Sequence, residues 1–200
     1  MTLPNLLSGF RIALTPLQLF WAWNGKAKIF LICLMIQMFS DTLDGFLARR
    51  LNQVSEIGAK LDSWGDLAMY LSIPLCGWWL WPDLIRQEHL FLIAALVGYL
   101  LPIVFGFWKY KQLTSYHTWV SKLSSVLMPL GLLILFSGGP PFAFHLAAFI
   151  LIVSSFEEML MTAVLPSWQP NVAWIGHAFL LARRPQPIAS RSDQKSRVER

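Results

Sequence analysis

Between Asp41 and Asp66 the chain carries four aspartates, an arginine and three small residues at fixed intervals. The run reads Asp41-Thr42-Leu43-Asp44-Gly45, then Ala48-Arg49, then Gly58, Asp62 and Asp66. The flanking sequence, Ile29 to Phe39 before it and Leu67 to Trp81 after it, is strongly apolar. An ionised side chain in hydrocarbon costs on the order of 3 kcal/mol or more, so such groups face a cavity, a partner or an ion. Four acids at regular spacing point to an ion.

At about 100° per residue, Asp41, Asp44, Gly45 and Ala48 fall on one side of a helix, with Arg49 at its edge. Gly58, Asp62 and Asp66 stand at i, i+4 and i+8 and share the face of a second helix. Arg50 to Ile57, with Asn52, Gln53 and Ser55, reads as the turn between them. An antiparallel pair joined this way brings two acidic faces together. Oxygen donors without Cys or His among them suit hard Mg²⁺ or Mn²⁺ rather than zinc. Gly45, Ala48 and Gly58 leave room for a ligand close to the backbone. A salt-bridged helix end at the membrane surface would also set these acids against Arg49, Arg50 and Lys60. It gives no reason for small residues on the same faces.

The same stretch resembles the signature of the CDP-alcohol phosphotransferases (the class I CDP-alcohol phosphatidyltransferases), D-x2-D-G-x2-A-R-x8-G-x3-D-x3-D. It matches at all eight defined positions and covers 26 of the 200 residues. The resemblance implies a six-helix membrane enzyme that moves a substituted phosphate from a CDP-linked donor, usually CDP-diacylglycerol, to a hydroxyl, releasing CMP. Carried over by position, Asp41, Asp44, Asp62 and Asp66 would hold two divalent ions, Mg²⁺ or Mn²⁺, at the donor diphosphate. Asp66 would also be the general base for the acceptor hydroxyl. Gly45, Ala48, Arg49 and Gly58 would line the CDP site. The opening Pro4-Asn5-Leu6-Leu7-Ser8 with Arg11 resembles the start of bacterial phosphatidylglycerophosphate synthases, which implies glycerol 3-phosphate as acceptor. The chain departs from those synthases at Ser63-Trp64-Gly65 and at Leu67, where they usually carry a lysine. Serine and inositol phosphate therefore stay open as acceptors.

The elements that must position these residues follow from composition. Hydrophobic residues make up 56% of the chain and mean hydropathy is +0.52, values of an integral membrane protein in one domain. Ten Trp and fourteen Phe suit a lipid-facing surface with interfacial rings. Cys33 and Cys76 lie in apolar runs and read as reduced packing residues. No cleavable signal peptide is expected, since Met1 to Ser8 lacks a basic start. The periodicity and breakers predict six spans, at Leu7–Trp23, Ile29–Arg49, Ile57–Trp81, Leu90–Trp108, Trp119–Phe136 and Phe142–Leu165. The fold class is therefore all-α, a polytopic membrane helical bundle. Asn171–Leu181 is apolar but short, an interfacial segment. The expected organisation is a membrane domain over 1–181 and a basic, disordered cytoplasmic tail over 182–200, which carries most of the net charge of +5.

Lysine and arginine set the orientation. One side of the six spans receives Arg49, Arg50, Lys60, Lys109, Lys111, Lys122 and the tail; the other receives Lys26, Lys28 and Arg86. The first side is cytoplasmic, in a bacterial-type inner membrane, and holds both termini and the open end of the aspartate site. Arg11 reads equally as a snorkelling residue and as a phosphate ligand. Lys122, one turn into an apolar helix, is the strongest candidate for an anionic acceptor, while Lys109 and Lys111 read as anchors. Glu157 and Glu158 read as part of the polar cavity or as salt-bridge partners of Arg11 or Lys122. Expected partners are CDP-diacylglycerol, a small alcohol acceptor, membrane lipids and a second copy of the chain as a homodimer; nucleic acid is not among them. Two rival classes are a cation transporter, which has no need of Gly45, Ala48 and Gly58 between the acids, and an idle scaffolding relative, which has no need of all eight positions.

Overall fold

A computed structural model describes residues 3–50, 56–111, 116, 118–167, 172 and 174–183; within the helices, the side chains of 3–5, 41–50, 56–57, 59–62 and 181–183 lie outside the description. The described chain is helical, without strands: α1 (Leu3–Trp23), α2 (Ala27–Arg50), α3 (Glu56–Leu80), α4 (Pro82–Gln87), α5 (His89–Tyr110), α6 (Trp119–Phe136), α7 (Phe142–Val164) and α8 (Ile175–Arg183). The six long helices coincide with the six predicted spans. Of these, α5, α6 and α7 are long and apolar enough to cross a membrane by composition, and α2 contributes a shorter apolar piece, Ala27–Ser40. At 21 to 25 residues and about 1.5 Å per residue, α1, α2 and α3 reach lengths comparable to a bilayer's hydrocarbon core.

Pro16, Pro74, Pro102 and Pro129 all sit inside helices. Such prolines are tolerated in membrane helices because neighbouring helices and side chains take up the freed backbone groups. Two details were not expected from the sequence. Pro82 does not end the third helix in a loop but opens the short α4, where its missing N–H costs nothing. The interfacial segment is a true helix, α8, whose Ala178 is buried against the α7 side while Phe179 and Leu180 stay exposed.

The bundle is two three-helix groups. In the first, α1 packs along both α2 and α3; in the second, α7 packs along both α5 and α6. Contacts of α2 with α6 and of α3 with α5 join them around Phe30, Leu34, Met69, Ile73, Met128 and Leu132. Small residues let the second group close: a Cβ on Gly131 would stand 3.0 Å from the Phe144 Cα, so α6 and α7 cross almost backbone to backbone. The end away from the aspartates is sealed by aromatic rings, with Trp81 stacked on Phe136 at 5.0 Å and Phe30 edge-on to both. His145 stands at the start of α7, assigned no role from sequence. Its Nε2 lies 2.6 Å from Glu88 Oε2 and its ring stacks on Phe91, tying α7 to the head of α5.

Candidate active site

Helix α2 carries Asp41, Asp44, Gly45, Ala48 and Arg49 in unbroken helical backbone, so the register that places the acids and small residues on one side is real. Their side chains lie outside the described ones, as does that of Asp62. On α3, Gly58, Asp62 and Asp66 follow one another at single-turn intervals along the helix. Gly58 is half-buried and Asp66 keeps 31% of its side-chain surface. Among the described residues no three His, Cys, Asp or Glu side chains converge on one point.

Sequence reasoning missed how α1 enters the site. An α2–α3 hairpin brings two acidic faces together in the simplest reading. Among the described residues, however, α2 and α3 each meet α1 far more than they meet each other. Ser8, Arg11, Thr15 and Gln18 recur at i, i+3, i+7 and i+10 on one face of α1, and all four are buried. Arg11 Nη1 lies 2.9 Å from Asp66 Oδ1, with Arg11 only 2% exposed. The arginine therefore does not snorkel: its charge is held inside, against the acid that ends the α3 series. Gly65 faces this approach, where a Cβ would make only ordinary contact, 3.7–3.9 Å, with Ile12, Ser8 and Arg11. The signal was available in the sequence as a polar stripe at helical spacing in an apolar helix, but its partner was not.

Around Arg11 the polar contacts continue. Thr15 Oγ1 donates to the Arg11 carbonyl at 3.1 Å, and Gln37 Nε2 on α2 lies 3.3 Å from Thr15 Oγ1 and 3.5 Å from the same carbonyl. Ser40, one turn further along α2, is buried as well.

The basic residues near the α5–α6 connection divide into two kinds. Lys109 Nζ donates to the carbonyls of Thr162, Ala163 and Leu165 at 2.6, 3.0 and 2.9 Å, and the single hydroxyl hydrogen of Tyr110 is shared between the carbonyls of Thr162 and Leu165 at 3.0 and 2.8 Å. These are the last carbonyls of α7, which have no partner within their own helix; a cation there also meets the negative end of the helix dipole. Lys109 thus holds a helix end, a role distinct from the anchoring at the membrane face expected from sequence. Lys111 ends α5 in a left-handed turn, φ 57°. Lys122 is exposed on the first turn of α6, its Nζ 5.0 Å above the Trp119 ring. That turn is fixed by Thr118, whose Oγ1 accepts from the Ser121 N–H at 3.0 Å. His117 lies outside the described residues. Glu157 and Glu158 form no ion pair among the described residues: of the two partners weighed for them, Arg11 is held by Asp66 and Lys122 lies over Trp119.

The donor set tests the fit of a metal. The acids of α2 and α3 are all-oxygen donors, and the described member, Asp66, is partly open and already faces a cation in Arg11. A hard divalent ion suits that all-oxygen chemistry.

Comparison with known proteins places the chain among relatives of named activity. Over 66 residues the chain is 39% identical to a CDP-diacylglycerol–glycerol-3-phosphate 3-phosphatidyltransferase of Aquifex aeolicus, covering 33% of this chain and 37% of that one. A protein of the same name from Salmonella choleraesuis is 39% identical over 69 residues, 32% of this chain and 37% of its own. A cardiolipin synthase (CMP-forming) of Streptomyces coelicolor is 34% identical over 114 residues, 50% of this chain and 52% of that one. The chain thus spans from about a third to half the length of these relatives. A family model described as CDP-alcohol phosphatidyltransferase matches residues 1–165, which takes in α1 to α7 and every acid of the site. With most of its length and its whole polar centre under that match, this chain belongs to the CDP-alcohol phosphatidyltransferase family.

Proposed function

We propose that this protein transfers a phosphatidyl group from CDP-diacylglycerol to the hydroxyl of a small alcohol, releasing CMP, as a step of phospholipid synthesis. The observation that carries the reading is the complete Asp41–Asp66 series on α2 and α3, with buried Arg11 closing on its last member at 2.9 Å. Asp41, Asp44, Asp62 and Asp66 would hold two Mg²⁺ or Mn²⁺ ions. When bound, these ions neutralise the donor diphosphate and stabilise charge at the transferred phosphorus. Gly45, Ala48 and Gly58 let the nucleotide lie against the helices, and Arg49 meets its phosphates. Asp66 accepts the proton of the acceptor hydroxyl as the new phosphorus–oxygen bond forms; the bond to the CMP phosphate breaks, and CMP leaves with that electron pair. Arg11 orients the Asp66 carboxylate for this task.

The proposed acceptor is glycerol 3-phosphate. It is supported by the Pro4 to Arg11 opening and by the two relatives named for that substrate. Exposed Lys122 would meet its phosphate at the cytoplasmic face. A second reading, cardiolipin formation with release of CMP, is favoured by the longer match to the relative named for that reaction. Residues 1–181 are the membrane domain and 182–200 a cytoplasmic tail. The site and both termini face the cytoplasm of a bacterial-type inner membrane, and the protein works as a homodimer.

The test is CMP release by the purified protein with CDP-diacylglycerol, Mg²⁺ and a panel of acceptors, with the lipid product identified by mass spectrometry. A phosphatidyl product with glycerol 3-phosphate is expected. Activity should vanish in EDTA and return with Mg²⁺ or Mn²⁺; full turnover in chelator overturns the mechanism.

A further inference from the structure

The acids of the site lie on α2 and α3, yet the helix that touches both is α1. Alongside apolar packing and the Trp23–Trp79 ring pair, α1 is joined to each of them by buried polar contacts. Toward α3 the contact is the Arg11–Asp66 pair at 2.9 Å. Toward α2 it is Gln37, which is 0% exposed and whose amide nitrogen stands between Thr15 Oγ1 at 3.3 Å and the Arg11 carbonyl at 3.5 Å. The Thr15 hydroxyl itself donates to that carbonyl at 3.1 Å. The Arg11 carbonyl is therefore addressed by two side chains, one from its own helix and one from α2, while the Arg11 guanidinium reaches α3.

A buried amide is costly to desolvate, and a leucine would pack an apolar bundle without that penalty. Gln37 stands one turn before Ser40 and Asp41 on α2, so a bridge there controls the part of α2 that carries the acids. Hydrogen bonds are directional and short-ranged, which lets this bridge fix the rotation and height of α1 against α2 where apolar contacts allow sliding.

We propose that Gln37, acting with Thr15, is a positioning residue of the phosphotransfer site. It locks the α1 turn that carries Arg11 to α2, and through the Arg11–Asp66 pair it sets the separation of the two acid-bearing helices. The consequence for reaction rests on the function proposed above; the geometric claim does not.

The test uses the full chain in lipid nanodiscs and compares Gln37→Met with Gln18→Met. Gln18 lies on the same polar stripe of α1 and is equally buried, but its amide has no partner among the described residues. Spin labels on cysteines introduced at exposed Phe39 of α2 and exposed Trp64 of α3 report the helix separation; native Cys33 and Cys76 are buried. Gln37→Met should broaden or shift the distance distribution. It should also raise the half-saturating Mg²⁺ concentration and lower turnover about tenfold, short of the roughly 10²-fold that a 1 Å misplacement costs. Gln18→Met should leave all three unchanged. Thr15→Val, which exchanges the hydroxyl for a methyl of similar size, should move them in the same direction and serves if Gln37→Met fails to fold. Wild-type distances and Mg²⁺ requirement in both Gln37→Met and Thr15→Val overturn the proposal. So does an equal loss in Gln18→Met, which would make the effect one of general packing. If the wild type releases no CMP yet the distances respond to Gln37→Met, the positioning role stands and the phosphotransfer reading falls.

Discussion

Asp66 bears two duties in the proposed chemistry, and its surroundings separate it from the other acids. It ends the Gly58, Asp62, Asp66 series and is held by an arginine that is 2% exposed, while its own side chain keeps 31% of its surface for a substrate or ion. Asp66→Asn preserves shape but cannot accept a proton, so turnover should fall by about 10²-fold or more. Donor affinity should fall less, because Asp41, Asp44 and Asp62 remain. Asp44→Asn should weaken donor binding and turnover together. CDP-diacylglycerol affinity measured beside turnover at matched Mg²⁺ distinguishes them, and an Asp66→Asn variant that keeps most of its turnover would remove the base assignment. Gly58, half-buried on the same face, is the position where backbone approach matters. Gly58→Leu should abolish CDP binding while the protein still inserts; wild-type nucleotide affinity in that variant would assign the glycine to helix packing instead.

At the scale of helices, the two lysines on the proposed acceptor side have different employment. Lys109 spends its three hydrogens on the terminal carbonyls of α7, with Tyr110 beside it. Lys109→Met should leave acceptor KM within about twofold and lower thermal stability by about 1.5–3 kcal/mol, the range for hydrogen bonds to a charged group. Lys122, exposed over Trp119 on a capped first turn, has its charge available to solvent. Lys122→Met should leave stability unchanged and raise KM for a phosphorylated acceptor several-fold, with the effect fading at high salt. Steady-state kinetics and thermal unfolding of both variants, run in parallel, read the difference. An unchanged KM in Lys122→Met would take the residue out of the acceptor site.

For the molecule as a whole, two three-helix groups meet around one apolar core, with the acids at one end and an aromatic seal at the other. The proposed direction of that axis in the bilayer rests on the basic residues gathered beside the acids in the sequence. Reporter fusions at the C-terminus should therefore show fluorescence of a cytoplasm-active protein and no activity of a periplasm-dependent phosphatase. The reverse pattern would place the aspartates away from cytoplasmic nucleotide and Mg²⁺, and with them the proposed reaction.

The six long helices were legible residue by residue, because an apolar run of bilayer length leaves the backbone no alternative to helix in lipid. The acid series was legible for a related reason: charges survive in such sequence only where something uses them, and their one-turn spacing names the face. The lysine asymmetry was equally local. Pro82 does follow the end of α3 at Leu80, and the short α4 was obscured because a proline that stops one helix can also start the next. Arg11 was visible, but choosing between the headgroups and the site required Asp66, 55 positions away. Gln37 and Thr15 drew no notice as isolated polar residues in apolar helices, since their meaning lies in each other. A single sequence states what each helix must bury. Which buried polar group answers which, and hence that α1 stands between the two acidic helices and ties them together, is settled only when the helices are packed and every costly group has to find its partner.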